Sequence, residues 1–407
     1  EVKVGTNGAT LRAKILAAMP NLKDVPPLPA PAAPVAAAQP FNEIPREIVE
    51  RAMAGGYHAE TENPALRPAA VSPRPSLALR NPKADPKVAL TINRTRVDTF
   101  IGQGVVINAP SAAITVQTQY TANAIAFTFA FSGGAVAVGA TLAIVINLLD
   151  SYTYIGATPV GSAVNGSTAA VKGSILASSV KILSNVAGVT TVLGAGVAGG
   201  AVAVNGIVAL GFNRAIGYAA LYRANVEAGS VTVTSSLTGD TTVITTSLVL
   251  GGVAVGATVA LAQIASQNVA LVDLTGSVVK AGTLNVNAGT SSSPYNSQAI
   301  VTVVTGTAGA IAAALNFAIA LNASSNKATV VGTSGSLSGT NVNIYAEGNT
   351  RAYAIIANAS IGGFSMNISA SIAWLKSTQE ASLSSGAVIT LTGTLSVTSK
   401  QNSTLNT

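Results

Sequence analysis

Side-chain bulk sorts by odd and even position in successive apolar stretches of this chain, and that sorting dictates extended backbone. In the first stretch Val136, Val138, Leu142, Ile144 and Ile146 share one parity. Ala135, Ala137, Gly139, Thr141 and Ala143 take the other, with Val145 as the exception. In a later one Val253, Val255, Val259 and Leu261 alternate with Ala254, Gly256, Thr258, Ala260 and Ala262. Near the end Phe364, Met366, Ile368, Ile372 and Trp374 alternate with Ser365, Asn367, Ser369, Ser371 and Ala373. A period of two belongs to a β-strand, whose successive side chains point to opposite faces. The alternation also decides how the uncharged run 192–212 is read. Its length would suit a membrane helix, but a helix in lipid has no reason to sort size by parity, so no transmembrane segment is expected.

The apolar strands recur as GAVAVGATLAIVIN, GAVAVNGIVALGFN, GVAVGATVALAQ, GAIAAALNFAIALN and GFSMNISASIAWL. A second, Gly-initiated landmark follows each in turn, at Gly173, Gly229, Gly282, Gly339 and Gly393, with steps of 56, 53, 57 and 54 residues. Regularity at this period marks a repeat array of five units of about 55 residues. The expected fold is all-β, a β-solenoid (parallel β-helix) over residues 87–407. Large residues are expected inward, so Val136, Val138, Leu142, Ile144, Val202, Val204, Val253, Val255, Leu315, Phe317, Ile368 and Trp374 form the expected core ladder. Each unit is expected to make two or three coils, which gives a rod of about 50–70 Å at the sheet spacing. The outward face would then carry Ala, Gly, Ser, Thr and Asn, a smooth uncharged surface that suits contact with another sheet.

The first 86 residues differ in kind. Fourteen of the 17 prolines lie between Pro20 and Pro86, so the segment reads as an extended basic arm. One short amphipathic helix is expected over 43–54, with Ile48, Val49 and Met53 on one side. The chain opens EVKVGTNGAT, with neither an initiator Met nor a basic-then-apolar leader, and this reads as a processed, exported chain.

The residue inventory narrows the chemistry. There is no Cys, which removes disulfides, thiol nucleophiles and Cys-containing zinc sites. The single His, His58, sits in the polar segment AGGYHAET of the arm and reads as a solvated side chain. The acids of the repeat region, Asp150, Glu227, Asp240, Asp273, Glu347 and Glu380, are scattered singly. Paired-carboxylate catalysis needs two within a few ångströms, and no enzyme activity, cofactor or metal is expected. The Gly-Gly pairs at Gly133, Gly199, Gly251 and Gly362 lack the Asp of a calcium-binding nonapeptide and read as strand entries or bulges. Of the 37 charged residues 22 lie in residues 1–98, leaving nine basic and six acidic groups for the rest. That is too dilute for a phosphate-binding stripe, so nucleic acid is not an expected partner.

The repeat text GGAVAVGATLAIVIN and AGGAVAVNGIVALGFN, followed by VEAGSVTVTSS and VKAGTLNVNAG, resembles the repeat region of large filamentous adhesins of Gram-negative anaerobes. These are the leukotoxin-type and haemagglutinin-like surface proteins. The resemblance covers roughly residues 100–407 and implies a β-helical, surface-exposed fibre with adhesive or assembly roles. It brings no catalytic residues.

These readings combine into a secreted or cell-surface structural subunit that polymerises with itself head to tail. The arm would act as a strap on a neighbouring subunit through Leu66, Val71, Leu77 and Leu79. Two other readings are a passenger fragment of an adhesin that binds host or cell-surface ligands, and a membrane pore or barrel. The 4% aromatic content, too low for aromatic girdles, weighs against the barrel.

Overall fold

The computed structural model describes residues 85–157 and 173–407, and over these it is all-β, with no helix. The arm, including Leu66, Val71, Leu77, Leu79 and the helix expected over 43–54, lies outside the described residues.

Thirteen strands form two rows. One row holds β1 (Asp85–Ile101), β3 (Val136–Gly156), the second half of β4 (Ser174–Tyr222), the second half of β5 (Asn225–Ile264) continued by β6 (Gln267–Asp273), β9 (Ile311–Gly332) and β11 (Phe364–Ser385). The other holds β2 (Val106–Gly133), the first halves of β4 and β5, β7 (Ser277–Ala288) continued by β8 (Tyr295–Ala308), β10 (Gly335–Ile361), and β12 (Val388–Leu391) continued by β13 (Leu395–Asn406). Every pairing is parallel. In the first row Asp85 pairs with Gly139, Val136 with Val202, Val202 with Val253, Val253 with Ile311, and Ile311 with Phe364, steps of 54, 66, 51, 58 and 53 residues. No strand pairs with another strand of its own repeat.

That register corrects the expectation of two or three coils per unit. Each repeat gives one long strand, or two consecutive segments, to each row. Six strands per row at the sheet spacing put about 24 Å between the first and last. The expected 50–70 Å is therefore not reached, and the long dimension runs along the strands instead. The pairings β4–β5, β5–β9, β9–β6 and β6–β4 close a ring of four. The ring arises because β5 and β6 are successive stretches of one line, separated by Ala265 and Ser266, and both lie between β4 and β9.

The rows lie face to face. Thr305 Oγ1 on β8 donates to Asn316 Oδ1 on β9 at 2.7 Å, and Asn205 Nδ2 donates to Ser247 Oγ at 2.8 Å. At one end of the strands the chain passes from one row to the other through the Gly-Gly pairs and, between β8 and β9, through Gly309-Ala310. At each such turn a glycine lies against the turn before it. A Cβ on Gly251 would stand 2.3 Å from the Gly200 carbonyl oxygen, and one on Gly362 would stand 2.1 Å from that of Gly309. These glycines are needed for close backbone approach.

The face assignment of the apolar strands is reversed from expectation. Val136, Val138, Leu142, Ile144, Val202, Val204, Val253, Val255, Leu315, Phe317, Ile368 and Trp374 all point outward, and none is buried. Val136, Leu315 and Trp374 are 40%, 40% and 46% exposed. The buried parity holds Ala137, Ala143, Val145, Ala203, Ala209, Ala254, Ala260, Ala312 and Ala318, with Thr141, Asn147, Asn205, Thr258, Asn316 and Asn322. The reason is the facing row. A Cβ on Gly196 would stand 2.5 Å from Asn205 Nδ2, and one on Gly194 would stand 2.9 Å from Ile207 Cγ2. Two sheets this close leave room mainly for small side chains, with Ile207 and a few Val set opposite glycines and alanines. Toward the other end of the strands the interior widens. There Ile182, Leu221, Val231, Val233, Leu284 and Val286 are buried, while Thr232 and Asn285 face outward.

Candidate interaction surface

Parallel in-register stacking turns each outward residue of the apolar strands into a ladder. Leu90, Ile144, Leu210, Leu261, Ile319 and Ile372 align across the six strands of one row, as do Val88, Leu142, Val208, Val259, Phe317 and Ala370. Val136, Val202, Val253, Ile311 and Phe364 form a third ladder beside the Gly-Gly turns. Across residues 136–146, 202–212, 253–263, 311–321 and 364–374 there is no Asp, Glu, Lys or Arg. The opposite row is apolar at the same end. Phe127, Phe129 and Phe131 are 61%, 48% and 71% exposed, and Ile244, Leu248, Leu250 and Ile361 stand out beside them. Of the 30 exposed large hydrophobic side chains among the described residues, 22 lie in this half, from the Gly-Gly turns to the register of Ile146 and Ile125. Exposed apolar area gathered at one end of both outer faces, instead of scattered, marks interaction surfaces.

Charge occupies the other half, apart from Asp85 and Lys87 on the edge strand β1. Arg214 pairs with Asp150 at 2.9 Å, Lys327 with Glu380 at 3.1 Å and Arg223 with Asp273 at 2.9 Å. Most are solvent-exposed pairs worth at most about 1 kcal/mol each, so their bearing is on where a partner can approach more than on stability. In the same half the register skips one residue at Gly229 and Gly282, between Ala228 and Ser230 and between Ala281 and Thr283. An open groove of about 550 Å³ lies there, lined by Leu176, Glu227, Gly229, Lys280, Gly282 and Gly339. Glu227 and Lys280 within it neutralise each other at 3.3 Å.

One acid stands out. Asp240 sits at the boundary between the two halves, in register with Val189 and Gln298. Burial pushes its carboxyl up to about 6, partly offset by a hydrogen bond from the Gln298 backbone, and its Oδ1 has no hydrogen-bond partner. The folded chain therefore holds this proton to higher pH than the unfolded chain. Stability contributed below pH 4 is lost as pH rises from about 4 to about 6. Asp240→Asn is expected to raise stability by about 2 kcal/mol at pH 7.5, a figure discounted for partial solvent access, and to change little at pH 4. Thermal melts of both proteins at the two pH values check this.

Among the described residues no three or more of His, Asp and Glu gather closely enough to hold a metal ion. No helix among them is long and apolar enough to cross a membrane. The resemblance to adhesin repeats rests on the repeat text alone: no protein-family model matches this chain, and no curated protein and no solved structure matches it.

Proposed function

We propose that this chain is a β-solenoid structural protein, a subunit of an extracellular filament that acts by assembling and not by catalysis. One observation carries the reading: every strand pairs in parallel with its equivalent in the next repeat and with none in its own. A chain built this way is quasi-one-dimensional, each repeat contacting its neighbours, and its sheet edges accept further parallel strands. The adhesin-like repeat text supports a surface location. In this reading residues 1–86 strap onto a neighbouring subunit through Leu66, Val71, Leu77 and Leu79, with the described strands as the folded body.

Negative-stain microscopy of the purified full chain is expected to show filaments. A variant lacking residues 1–86 is expected to keep β-type circular dichroism and to appear as single particles or short oligomers. Dispersed particles from the full chain at high concentration would sink the filament reading. Unchanged filaments from the truncated chain would sink the strap.

A further inference from the structure

We infer that the apolar outer ladder of the row containing β3, β9 and β11 is a face that docks on the same face of a second copy of this chain, with the strands of the two copies antiparallel. The inference rests on the assembly reading above and names a contact that head-to-tail stacking does not supply.

Area favours a second copy. The uncharged field runs over 11 residues of each strand, from Val136 to Ile146 and their equivalents, which spans about 33 Å. Five strands make it about 24 Å deep, or roughly 800 Å² of flat sheet. A standard specific interface takes about 800 Å² from each partner. The surface is also shaped for this. Aligned ladders of Val, Leu, Ile and Phe make ridges with a constant spacing, and identical ridges on a second sheet can interleave with them at about 10 Å.

Charge sets the orientation. The field occupies only the Gly-Gly-turn half of the strands, and beyond it come Asp150, Arg214, Lys327, Lys376 and Glu380. Turning the second copy about an axis parallel to the stacking direction, between the ladders of Ala257 and Val259, lays apolar half on apolar half. The charged halves then project to opposite sides and stay in water. With the strands parallel, the charged halves would face each other, and ions would lose solvent.

A lipid layer is the competing occupant, and the strand edges disfavour it. Among the described residues β1 pairs only with β3, and β2 only with β4. Among these residues each therefore has one edge with no strand beside it, and unpaired N–H and C=O groups are strongly penalised in hydrocarbon.

The test uses the full chain, which has no native cysteine. Sedimentation velocity of the unmodified chain is expected to show a concentration-dependent lateral dimer or its multiples. Val255 and Val259 point outward, so V255K/V259K is expected to keep the circular dichroism of the parent while weakening association by about a hundredfold or more. Val259→Cys, a near-isosteric change close to the proposed axis, is expected to be linked into a dimer by a bismaleimide of about 10 Å reach, since sheets about 10 Å apart are too far for a direct disulfide, whereas Lys327→Cys, about 36 Å from the axis, is not. A wild-type chain that stays monomeric at all concentrations overturns the inference. So does unchanged association of V255K/V259K, or linkage through position 327 and not 259. Monomers that float with phosphatidylcholine vesicles assign the face to lipid and overturn it too. Filaments of unchanged width from V255K/V259K sink this contact and leave the filament reading standing, whereas thinner, unpaired filaments from that variant support both. Cysteine-linked pairs without filaments do the reverse.

Discussion

Replacing Gly309 by alanine is expected to cost about 4 kcal/mol or more, enough to threaten folding of the whole array. The added methyl would stand 1.9 Å from the Gly251 carbonyl oxygen and 3.0 Å from its carbonyl carbon. Neither can yield as a flexible side chain would, because both belong to the turn of the preceding repeat. That turn is stacked in the same way on Gly200, whose own Cβ would meet the Gly134 oxygen at 2.0 Å. Any relief at one turn is thus passed to the next. The Gly309 N–H also donates to the Ile361 carbonyl at 2.9 Å, so displacing the turn breaks a link to the following repeat. Gly206 supplies the contrast. It faces outward, and a methyl added there would have nothing within 4 Å. There Gly→Ala is expected to be neutral or to stabilise by about 0.4–1 kcal/mol, through the unfolded chain. Urea denaturation of the two variants, followed by circular dichroism, separates them. Equal midpoints would mean that the turns are not stacked as described.

The second large effect belongs to a buried amide. Asn326 on β9 donates through Nδ2 to the carbonyls of Ala288 at 2.9 Å and Glu347 at 3.1 Å, both on the facing row. Its Oδ1 accepts from Asn268 Nδ2, one strand back in its own row, at 2.8 Å. One side chain therefore ties two strands of one sheet to two of the other. Asn326→Ala removes all three bonds and leaves a gap in a dry interior, an expected loss of about 3 kcal/mol. Asn343 lies on the outer face of β10, where its Nδ2 bonds to Asn285 Oδ1 at 2.9 Å. Its replacement by alanine is expected to cost about 0.5 kcal/mol, since water takes over the bond. Denaturant midpoints for both variants give the comparison. Similar losses at the two sites would contradict the inside-outside assignment.

Asn322 makes the same kind of link, donating to Ser297 and Arg351 carbonyls at 2.9 Å each. Asn147 and Asn213, which with Asn322 end three of the apolar runs, also reach carbonyls of the facing row. A signal for these residues was therefore present in the text of the repeats. An Asn closing an apolar run occupies the parity of the small residues, and once that parity is inside, its amide has to find carbonyls across the gap. Without knowing which parity was inside, the recurring Asn reads as one more small outward residue.

The sequence alone determined extended backbone, the repeat length and the sorting of large from small, because these follow from chain periodicity and need no partner. Leu90, Ile144, Leu210 and Leu261 had to share a face whatever packed against it. Which face lay inside was decided only by the tertiary structure, because it depends on the distance to a second sheet. Where the rows close to the reach of Ala and Asn, the large residues are driven out. Where they stand further apart, Val231 and Leu284 go in. The lateral split into an apolar half and a charged half arises for the same reason: register aligns the runs of five repeats side by side, and turns a sequence pattern into a surface.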